Sequence, residues 1–354
     1  MRKLLVVAGL AAVVAATVVL SGVISVKASS GHLPPTYWML DLVKRRSVVM
    51  RARGIETPPL HDPGLARVGA AHFERGCRSC HGAPGASLPL VPTRMTPAPP
   101  DLARQVSRWQ ARELFYLVAH GVKFTGMPAW PSPSRTDEAW AVVAFLQRLP
   151  ALDEAGYQRL LSSAADDADG TDTDTDGRSA MRCDTCHRTK APLVPVLEGQ
   201  TAAYLTAALD AYASGQRHSG IMQTVATTLS AADRTRFAEI YASPAVPPPT
   251  LPPAPTAGTP ATPAGSGIVS QGDSARDIPA CAGCHGPSDG LRDPRYPRLA
   301  GQPEAYLRLQ LQLFAEGRRG GSAYAPIMQA IAARLTASQI DDAVSTYAAI
   351  PTGR

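Results

Sequence analysis

The sequence predicts an all-α protein preceded by an N-terminal transmembrane helix. Apolar residues recur at helical spacing in stretches such as "YLTAALDAYASGQ" and "DEAWAVVAFLQRLP", a pattern typical of helices with one buried face. No alternation of apolar and polar residues, the pattern of a strand, extends over a useful length. An uncharged apolar run extends from Leu4 to Val26, close to the roughly 20 residues that cross a bilayer.

Residues 1–30 are interpreted as a membrane anchor or a signal. The apolar run is longer than the about 7 to 15 residues of a cleaved signal, which favours an uncleaved anchor. Arg2 and Lys3 precede the run, so the positive-inside rule leaves them in the cytoplasm and places the rest of the chain in the periplasm. The alternative is secretion to the periplasm after cleavage, since residues 26–28 make a passable cleavage site.

Two changes in composition divide the rest of the chain. An acidic linker is predicted for residues 151–177 and a proline-rich linker for 244–267, because neither stretch has the periodicity of a folded element. These linkers separate three predicted domains, called here the first segment (36–150), the second segment (178–243) and the third segment (268–354).

The second and third segments are copies of one unit. "VPVLEGQTAAYL" in the second parallels "YPRLAGQPEAYL" in the third, and "IMQTVATTL" parallels "IMQAIAARL". Only 6% of the residues are aromatic, so each segment has few bulky side chains with which to fill a core. The small size of the second segment suggests that something besides the polypeptide stabilises it.

Each segment contains one CxxCH sequence near its start: "CRSCH", "CDTCH" and "CAGCH". This is the attachment sequence of c-type haem, in which both thiols bond to the porphyrin and the histidine becomes the proximal iron ligand. The motifs therefore predict three covalently bound haem c groups. The predicted attachment residues are Cys77, Cys80, Cys183, Cys186, Cys281 and Cys284, and the predicted proximal ligands are His81, His187 and His285.

Other readings of CxxC fit these motifs less well. A zinc ribbon places its cysteine pairs about 15 to 20 residues apart, whereas these pairs lie in three separate segments. A thioredoxin-like redox site requires a βαβ setting, which the helical pattern does not provide. Simple disulfides would leave the histidine of each motif unexplained.

A methionine downstream of each motif is the candidate sixth iron ligand. These residues are Met127, Met222 and Met328, and the last two occupy matching places in the repeat. Iron with both axial positions filled transfers electrons, whereas an open position allows peroxide or oxygen to bind. His218 is a rival to Met222, and His120 is a weaker rival to Met127. Any single methionine is also explained by core packing.

The formal net charge of +6 does not indicate a nucleic-acid-binding protein. No basic stripe interleaved with aromatic residues is present, and the carboxylates of three haems would offset most of the charge. The basic stretch 44–53 is interpreted as facing anionic lipid near the anchor or the acidic face of a partner. A solvated helix face is the simpler alternative.

The motifs resemble those of class I c-type cytochromes. "CAGCHGPSDGLRDPRYPRLAGQPEAYL" and its partner in the second segment resemble the two halves of dihaem periplasmic class I cytochromes, and "HFERGCRSCHGAPG" with "TGMPAWP" is similar to the single class I domains of membrane-tethered bacterial cytochromes. The resemblance implies three small class I domains, each wrapped round one haem. It also implies that a proline carbonyl, of Pro192 and Pro294 in the paired segments, holds the proximal imidazole. Arg188 departs from the pattern, since glycine follows the other two motifs.

The function expected from these observations is electron transfer in a bacterial respiratory chain, between a membrane or periplasmic donor and an acceptor such as an oxidase. The expected partners are redox proteins, namely a donor dehydrogenase or quinol-oxidising complex and an acceptor oxidase or reductase, together with the membrane. No residue is assigned a catalytic role. The alternatives are the cytochrome subunit of a membrane-bound dehydrogenase, a haem peroxidase, and a module that senses small gases.

Overall fold

A computed structural model describes residues 2–161, 183–187, 192–242, 266–286 and 293–351. Helices and loops make up this part of the chain, whose β-structure is limited to one isolated bridge between Asp273 and Ile278. The predicted all-α class is therefore confirmed. Most of the acidic linker and of the proline-rich linker lies outside the described residues.

The described α-helices follow the segments in chain order. They are α1 (Arg2–Leu20), α2 (Pro34–Ala52), α3 (Pro63–Gly76), α4 (Arg78–His81), α5 (Leu102–Gln105), α6 (Ala111–His120), α7 (Ala139–Arg148), α8 (Glu154–Leu161), α9 (Asp184–His187), α10 (Ala202–Ala213), α11 (Met222–Thr227), α12 (Ala231–Tyr241), α13 (Ser266–Ser270), α14 (Ala282–His285), α15 (Glu304–Ala315), α16 (Ala325–Arg334) and α17 (Ala337–Ala349). Short 3-10 helices cover Ala28–Ser30, Pro92–Arg94, Val106–Arg108, Pro133–Glu138, Leu149–Ala151 and Ser274–Arg276.

Helix α1 stands apart from the rest of the protein. None of its residues is buried, and it is long enough and apolar enough to cross a membrane once. The same length and composition also occur in a signal sequence. An apolar helix with no protein against it requires another apolar environment.

The first segment is built on the crossing of α3 and α7. The Asp62 side chain begins α3 by accepting hydrogen bonds from the backbone N–H groups of Gly64 (2.7 Å) and Leu65 (3.3 Å), as an N-cap residue does. At Gly69 the two helices approach so closely that a Cβ atom would lie 1.9 Å from the carbonyl oxygen of Ala141. This contact aligns α3, which leads directly into the first CxxCH motif.

The acidic linker begins later than the sequence predicts. Helix α8 lies within residues 151–177, yet its Tyr157 is fully buried and donates a hydrogen bond to Glu74 on α3 (2.7 Å). The ring of Tyr157 also meets that of Phe73 edge to face, with centroids 6.4 Å apart. The folded unit therefore extends to Leu161, because a buried aromatic side chain outweighs the polar composition around it.

The second and third segments share one arrangement of three helices. In the second these are α10, α11 and α12, and in the third α15, α16 and α17. The last helix of each set begins with a capping box, formed by Ser230 with Asp233 and by Thr336 with Gln339. Among the described residues of the second segment, the buried hydrophobic side chains that pack into one cluster are only three, Leu205, Ala238 and Tyr241. So small a core leaves room for a bulky apolar group.

The three segments contact one another. The second and third meet at the loops that follow their CxxCH motifs, where the Gln200 side chain bonds to Arg298 and the Gln302 side chain bonds to Val196. The first meets the third through an ion pair between Asp137 and Arg318 (3.1 Å). Contacts between the first and second segments surround Glu138 and are described below.

Candidate haem-binding sites

Each CxxCH motif forms a single helical turn. The carbonyl oxygen of the first cysteine accepts a hydrogen bond from the histidine N–H, at 2.9 Å in the first motif, 3.0 Å in the second and 2.9 Å in the third. Gly82 and Gly286 follow the first and third histidines with positive φ angles of 71° and 70°, a conformation that disfavours side chains with a Cβ atom. The turn presents both cysteines and the histidine from one short piece of backbone.

The proximal histidines share one hydrogen bond. The Nδ1 atom of His81 lies 3.0 Å from the carbonyl oxygen of Pro100, that of His187 lies 2.8 Å from the carbonyl of Pro195, and that of His285 lies 2.9 Å from the carbonyl of Pro297. A carbonyl oxygen can only accept, so Nδ1 carries the proton and Nε2 keeps its lone pair. A hydrogen bond from one ring nitrogen to a backbone carbonyl orients an imidazole so that the other nitrogen can bind a metal.

The prediction that Pro192 and Pro294 make this contact is wrong. In both segments the carbonyl that faces the imidazole belongs to a proline three residues further along the chain, Pro195 or Pro297. The carbonyl of Pro294 instead accepts a hydrogen bond from the hydroxyl of Thr201. The role that the resemblance implied is present, but on a different proline.

The six cysteines form no disulfide with one another in the described structure. Burial raises the pKa of Cys77, Cys186 and Cys281 to about 11, which keeps these side chains protonated at neutral pH. Within the described residues no three His, Cys, Asp or Glu side chains converge on a common point. A structural zinc site needs four ligands around one ion, whereas these cysteine pairs lie in three separate segments.

The three candidate methionines are half-buried. The backbone N–H of Met127 bonds to Thr125 Oγ1 (3.1 Å), that of Met222 to Ser219 Oγ (3.0 Å) and that of Met328 to the carbonyl of Tyr324 (3.3 Å). All three methionines therefore lie on anchored backbone.

The rival histidines are in more open positions. Both His120 and His218 are exposed, and the ring of His120 lies 4.6 Å, centroid to centroid, from that of Tyr116. Met95, an alternative methionine in the first segment, packs against Gly126, where an added Cβ would lie 2.1 Å from its Cε.

The surroundings of His81 fit a flat apolar cofactor. A cavity beside the imidazole is lined by apolar side chains that include Phe73, Leu88, Leu102 and Leu149. A porphyrin needs this combination of apolar walls and one exposed ring nitrogen. The residues beside His81 therefore fit a haem in the first segment. In the second segment, the small hydrophobic cluster is consistent with a haem that completes the core.

Two arginines between the second and third segments fit the acidic edge of such a cofactor. Arg217 and Arg319 occupy equivalent places in the repeat, and Arg217 is 8% exposed. Arg217 bonds to the hydroxyl of Tyr204 (3.5 Å) and Arg319 to the side chain of Gln310 (2.5 Å). Among the described residues neither forms an ion pair with a carboxylate. Arg319 is partly buried, and guanidinium groups in such positions without a protein carboxylate are suited to an anionic ligand group.

The sequence analysis did not identify these arginines, nor the paired glutamines Gln200 and Gln302. Their signal was available, because both pairs recur at matching positions of the repeat. A polar residue retained in two copies of a small domain indicates a shared structural contact.

Comparison with known proteins identifies the family. The sequence profile described as "Cytochrome C oxidase, cbb3-type, subunit III" matches residues 64–146. The thiosulfate dehydrogenase electron acceptor of Thiomonas intermedia is 32% identical over 177 residues, which cover 49% of this chain and 80% of that protein. Cytochrome c4 of Pseudomonas aeruginosa is 33% identical over 180 residues, with 48% of this chain and 83% of that protein covered. The chain belongs to the class I c-type cytochromes.

Among solved structures, a cytochrome c4 of Acidithiobacillus ferrooxidans is 34% identical to this cytochrome, with a TM-score of 0.36. The match covers 45% of the present chain and 90% of the solved one. Membership of the family confirms the resemblance noted in the sequence. This cytochrome is an electron-transfer protein that binds haem c covalently, and its partners are redox proteins.

Proposed function

We propose that this cytochrome carries three haem c groups, one in each segment, and conducts electrons along a respiratory chain. The observation that supports this best is the bond from Nδ1 of each motif histidine to a proline carbonyl, made three times at 2.8 to 3.0 Å. A motif that matched by chance would not be expected to orient its imidazole in the same way in all three segments.

The proposed attachment residues are the six cysteines of the motifs, and the proposed axial ligands are paired within each segment. His81 pairs with Met127, His187 with Met222 and His285 with Met328. Bound haem supplies a reversible one-electron couple. The protein's part is to orient each imidazole, to hold each methionine on anchored backbone and to exclude water. Held by a histidine and a methionine in each segment, the haem would exchange electrons without a bond forming or breaking.

The proposed location is the periplasmic side of the inner membrane, with α1 as the anchor. Arg2 and Lys3 would remain in the cytoplasm by the positive-inside rule. An anchor keeps the haem segments near membrane-bound donors and acceptors. A cleaved signal would give the same domains in soluble form.

A second candidate function is that of the cytochrome subunit in a dehydrogenase complex. Two relatives carry the name thiosulfate dehydrogenase electron acceptor, one from Thiomonas intermedia and one from Stutzerimonas stutzeri that is 36% identical over 168 residues. We propose that this cytochrome likewise receives electrons from a periplasmic or membrane-bound dehydrogenase and delivers them to an oxidase or reductase.

The haem content and ligation are tested on the full chain produced with cytochrome c maturation. Three covalent haems per chain are expected by pyridine haemochrome analysis, with low-spin spectra and no binding of carbon monoxide to the reduced protein. Fewer than three haems would contradict the proposed count. A high-spin component that binds carbon monoxide would instead support the peroxidase or gas-sensing alternative. Co-purification from membranes then separates a free carrier from a subunit of a dehydrogenase.

A further inference from the structure

The loop that leads to Met222 in the second segment is held by the first segment. Glu138 accepts a hydrogen bond from the hydroxyl of Ser219 (2.7 Å) and another from the backbone N–H of Gly220 (2.6 Å). Glu138 and Ser219 are 81 residues apart in the sequence. The contact therefore joins two haem-binding segments.

The contact is buried and closely fitted. Glu138 also forms an ion pair with Arg135 (3.2 Å), in which each side chain is only 10% exposed. Trp130 donates a hydrogen bond to Glu138 through Nε1 (3.3 Å). A Cβ atom added to Gly220 would lie 2.1 Å from that same nitrogen. Breaking a buried, hydrogen-bonded ion pair leaves a charge without its partner, which costs much more than breaking an exposed pair.

Ser219 passes this contact on to Met222. Its hydroxyl donates to Glu138 and at the same time accepts a hydrogen bond from the backbone N–H of Met222 (3.0 Å). The side chain of Gln223 accepts from the backbone N–H of Ser219 (2.9 Å). The start of α11 is therefore fixed by a side chain whose position depends on another segment.

The third segment holds its equivalent methionine without such help. Met328 lies within α16, a helix of ten residues, and its N–H bonds to the carbonyl of Tyr324. Helix α11 has six residues and begins at Met222 itself. The carbonyl that would serve Met222 in the same way is that of His218, and it accepts from Arg135 of the first segment instead (3.3 Å).

The sequences of the two repeat copies differ at the residues that contact Glu138. Ser219 and Gly220 correspond to Ala325 and Pro326 of the third segment. Neither of these has a side-chain hydroxyl, and a proline has no N–H to donate. The two donors that reach Glu138 are thus particular to the second segment.

We infer that Glu138 is a positioning residue for the distal side of the second haem. Through Ser219 it fixes the backbone of Met222, and it makes the ligation of the second haem depend on docking of the first segment. The inference rests on the proposed function, in which Met222 is an iron ligand. Loss of Glu138 frees the loop, so that the sulfur is held less firmly against the iron and the potential of that haem falls, since methionine ligation raises it.

The experiment uses the full, haem-loaded chain. Spectroelectrochemical titration of the wild type, combined with that of Met222→Leu, assigns one of the three redox components to the second haem. In Glu138→Ala we expect that component alone to fall, by about 59 mV or more, which is a tenfold change in electron distribution for one electron. The sulfur-to-iron absorption band should lose about one third of its amplitude if one of three haems is affected.

Three further variants make the result specific. Ser219→Ala should reproduce the shift because it removes the connecting hydroxyl, and Glu138→Gln should restore part of the band because it keeps an acceptor oxygen. Asp41→Asn is the matched control, since Asp41 lies in the first segment and pairs with Lys44 and Arg45 of its own helix α2. The sulfur-to-iron absorption band of this control variant should be unchanged.

The outcomes are distinct. Unchanged potentials and an unchanged band in both Glu138→Ala and Ser219→Ala would overturn the inference, as would equal shifts of all three haems. If Met222→Leu itself leaves every component and the band unaltered, then Met222 is not a ligand and the proposed function fails at this residue. A Glu138→Ala chain that does not fold leaves Ser219→Ala to decide.

Discussion

Gln200 and Gln302 each make the same pair of hydrogen bonds to the backbone of the opposite segment, across the interface between the second and third segments. Gln200 accepts from the N–H of Arg298 (3.0 Å) and donates to its carbonyl (2.7 Å). Gln302 accepts from the N–H of Val196 (3.0 Å) and donates to its carbonyl (2.8 Å). Val196 and Arg298 directly follow the two prolines that bind the proximal histidines. The glutamines thus lock the two proximal loops to each other.

Removing either glutamine should weaken the interface to a similar extent. Gln302 is 2% exposed, so Gln302→Ala leaves the backbone groups of Val196 without partners, at a cost of about 1 to 3 kcal/mol. Chemical unfolding should show this loss in Gln302→Ala and in Gln200→Ala, whereas Gln147→Ala, on an exposed face of α7, should be neutral. Equal stability of all three variants would contradict the role given to the pair.

Replacing Met127 should change only the first haem. In Met127→Leu the sulfur ligand is lost, so the potential of that haem falls and about one third of the sulfur-to-iron band disappears. Met95→Leu is the control, because Met95 packs beside the same loop at Gly126 but is not assigned to iron. Loss of the band in Met95→Leu rather than Met127→Leu would exchange the two assignments.

The second segment should depend on its haem more than the first. Its described hydrophobic cluster contains three buried residues, whereas that of the first includes Phe73, Phe145 and Tyr157 among many others. In Cys183→Ala/Cys186→Ala we expect two haems per chain and rapid amide exchange confined to α10 and α12, because a small core alone rarely stabilises a domain. Slow exchange in those helices would show that the polypeptide suffices.

Arg217 and Arg319 should raise the potentials of the paired haems. A positive charge near iron disfavours the ferric state, so Arg217→Gln and Arg319→Gln should each lower a potential of the second or third haem, and not that of the first. Arg308→Gln is the control, since Arg308 pairs with Asp341 at the surface. Redox titration of each variant and of the wild type measures these potentials. An equal fall in Arg308→Gln would remove the reason to single out Arg217 and Arg319.

His72 should make the first segment less stable in acid. Its ring lies 4.6 Å from that of Trp130, and burial, reinforced by Arg75, lowers its pKa from 6.5 to about 4. Between these values the unfolded chain binds a proton that the folded protein excludes. Stability is therefore full above pH 6.5 and falls as the pH approaches 4, by at most about 3 kcal/mol.

His72→Gln should flatten this dependence. Unfolding by denaturant at pH 7 and pH 4.5 measures it, with the exposed His61→Gln as control. The same loss of stability in His72→Gln as in the wild type would assign the acid sensitivity to other groups.

The sequence by itself determined the chemistry of the motifs and the class of fold. Each CxxCH turn is closed by hydrogen bonds between residues at most four apart, as from His81 to Cys77, and helices follow from apolar residues at local spacing. Such features need no knowledge of the rest of the chain. The repeat likewise aligned Met222 with Met328 before any geometry was known.

Only the tertiary structure decided which groups support these sites. The proline that faces each proximal histidine depends on the path of a loop, so the sequence indicated Pro192 where the carbonyl of Pro195 makes the bond. Glu138 lies at the end of a 3-10 helix and has no sequence relation to Ser219. Contacts across segments arise from how folded surfaces meet, and local periodicity carries no information about that.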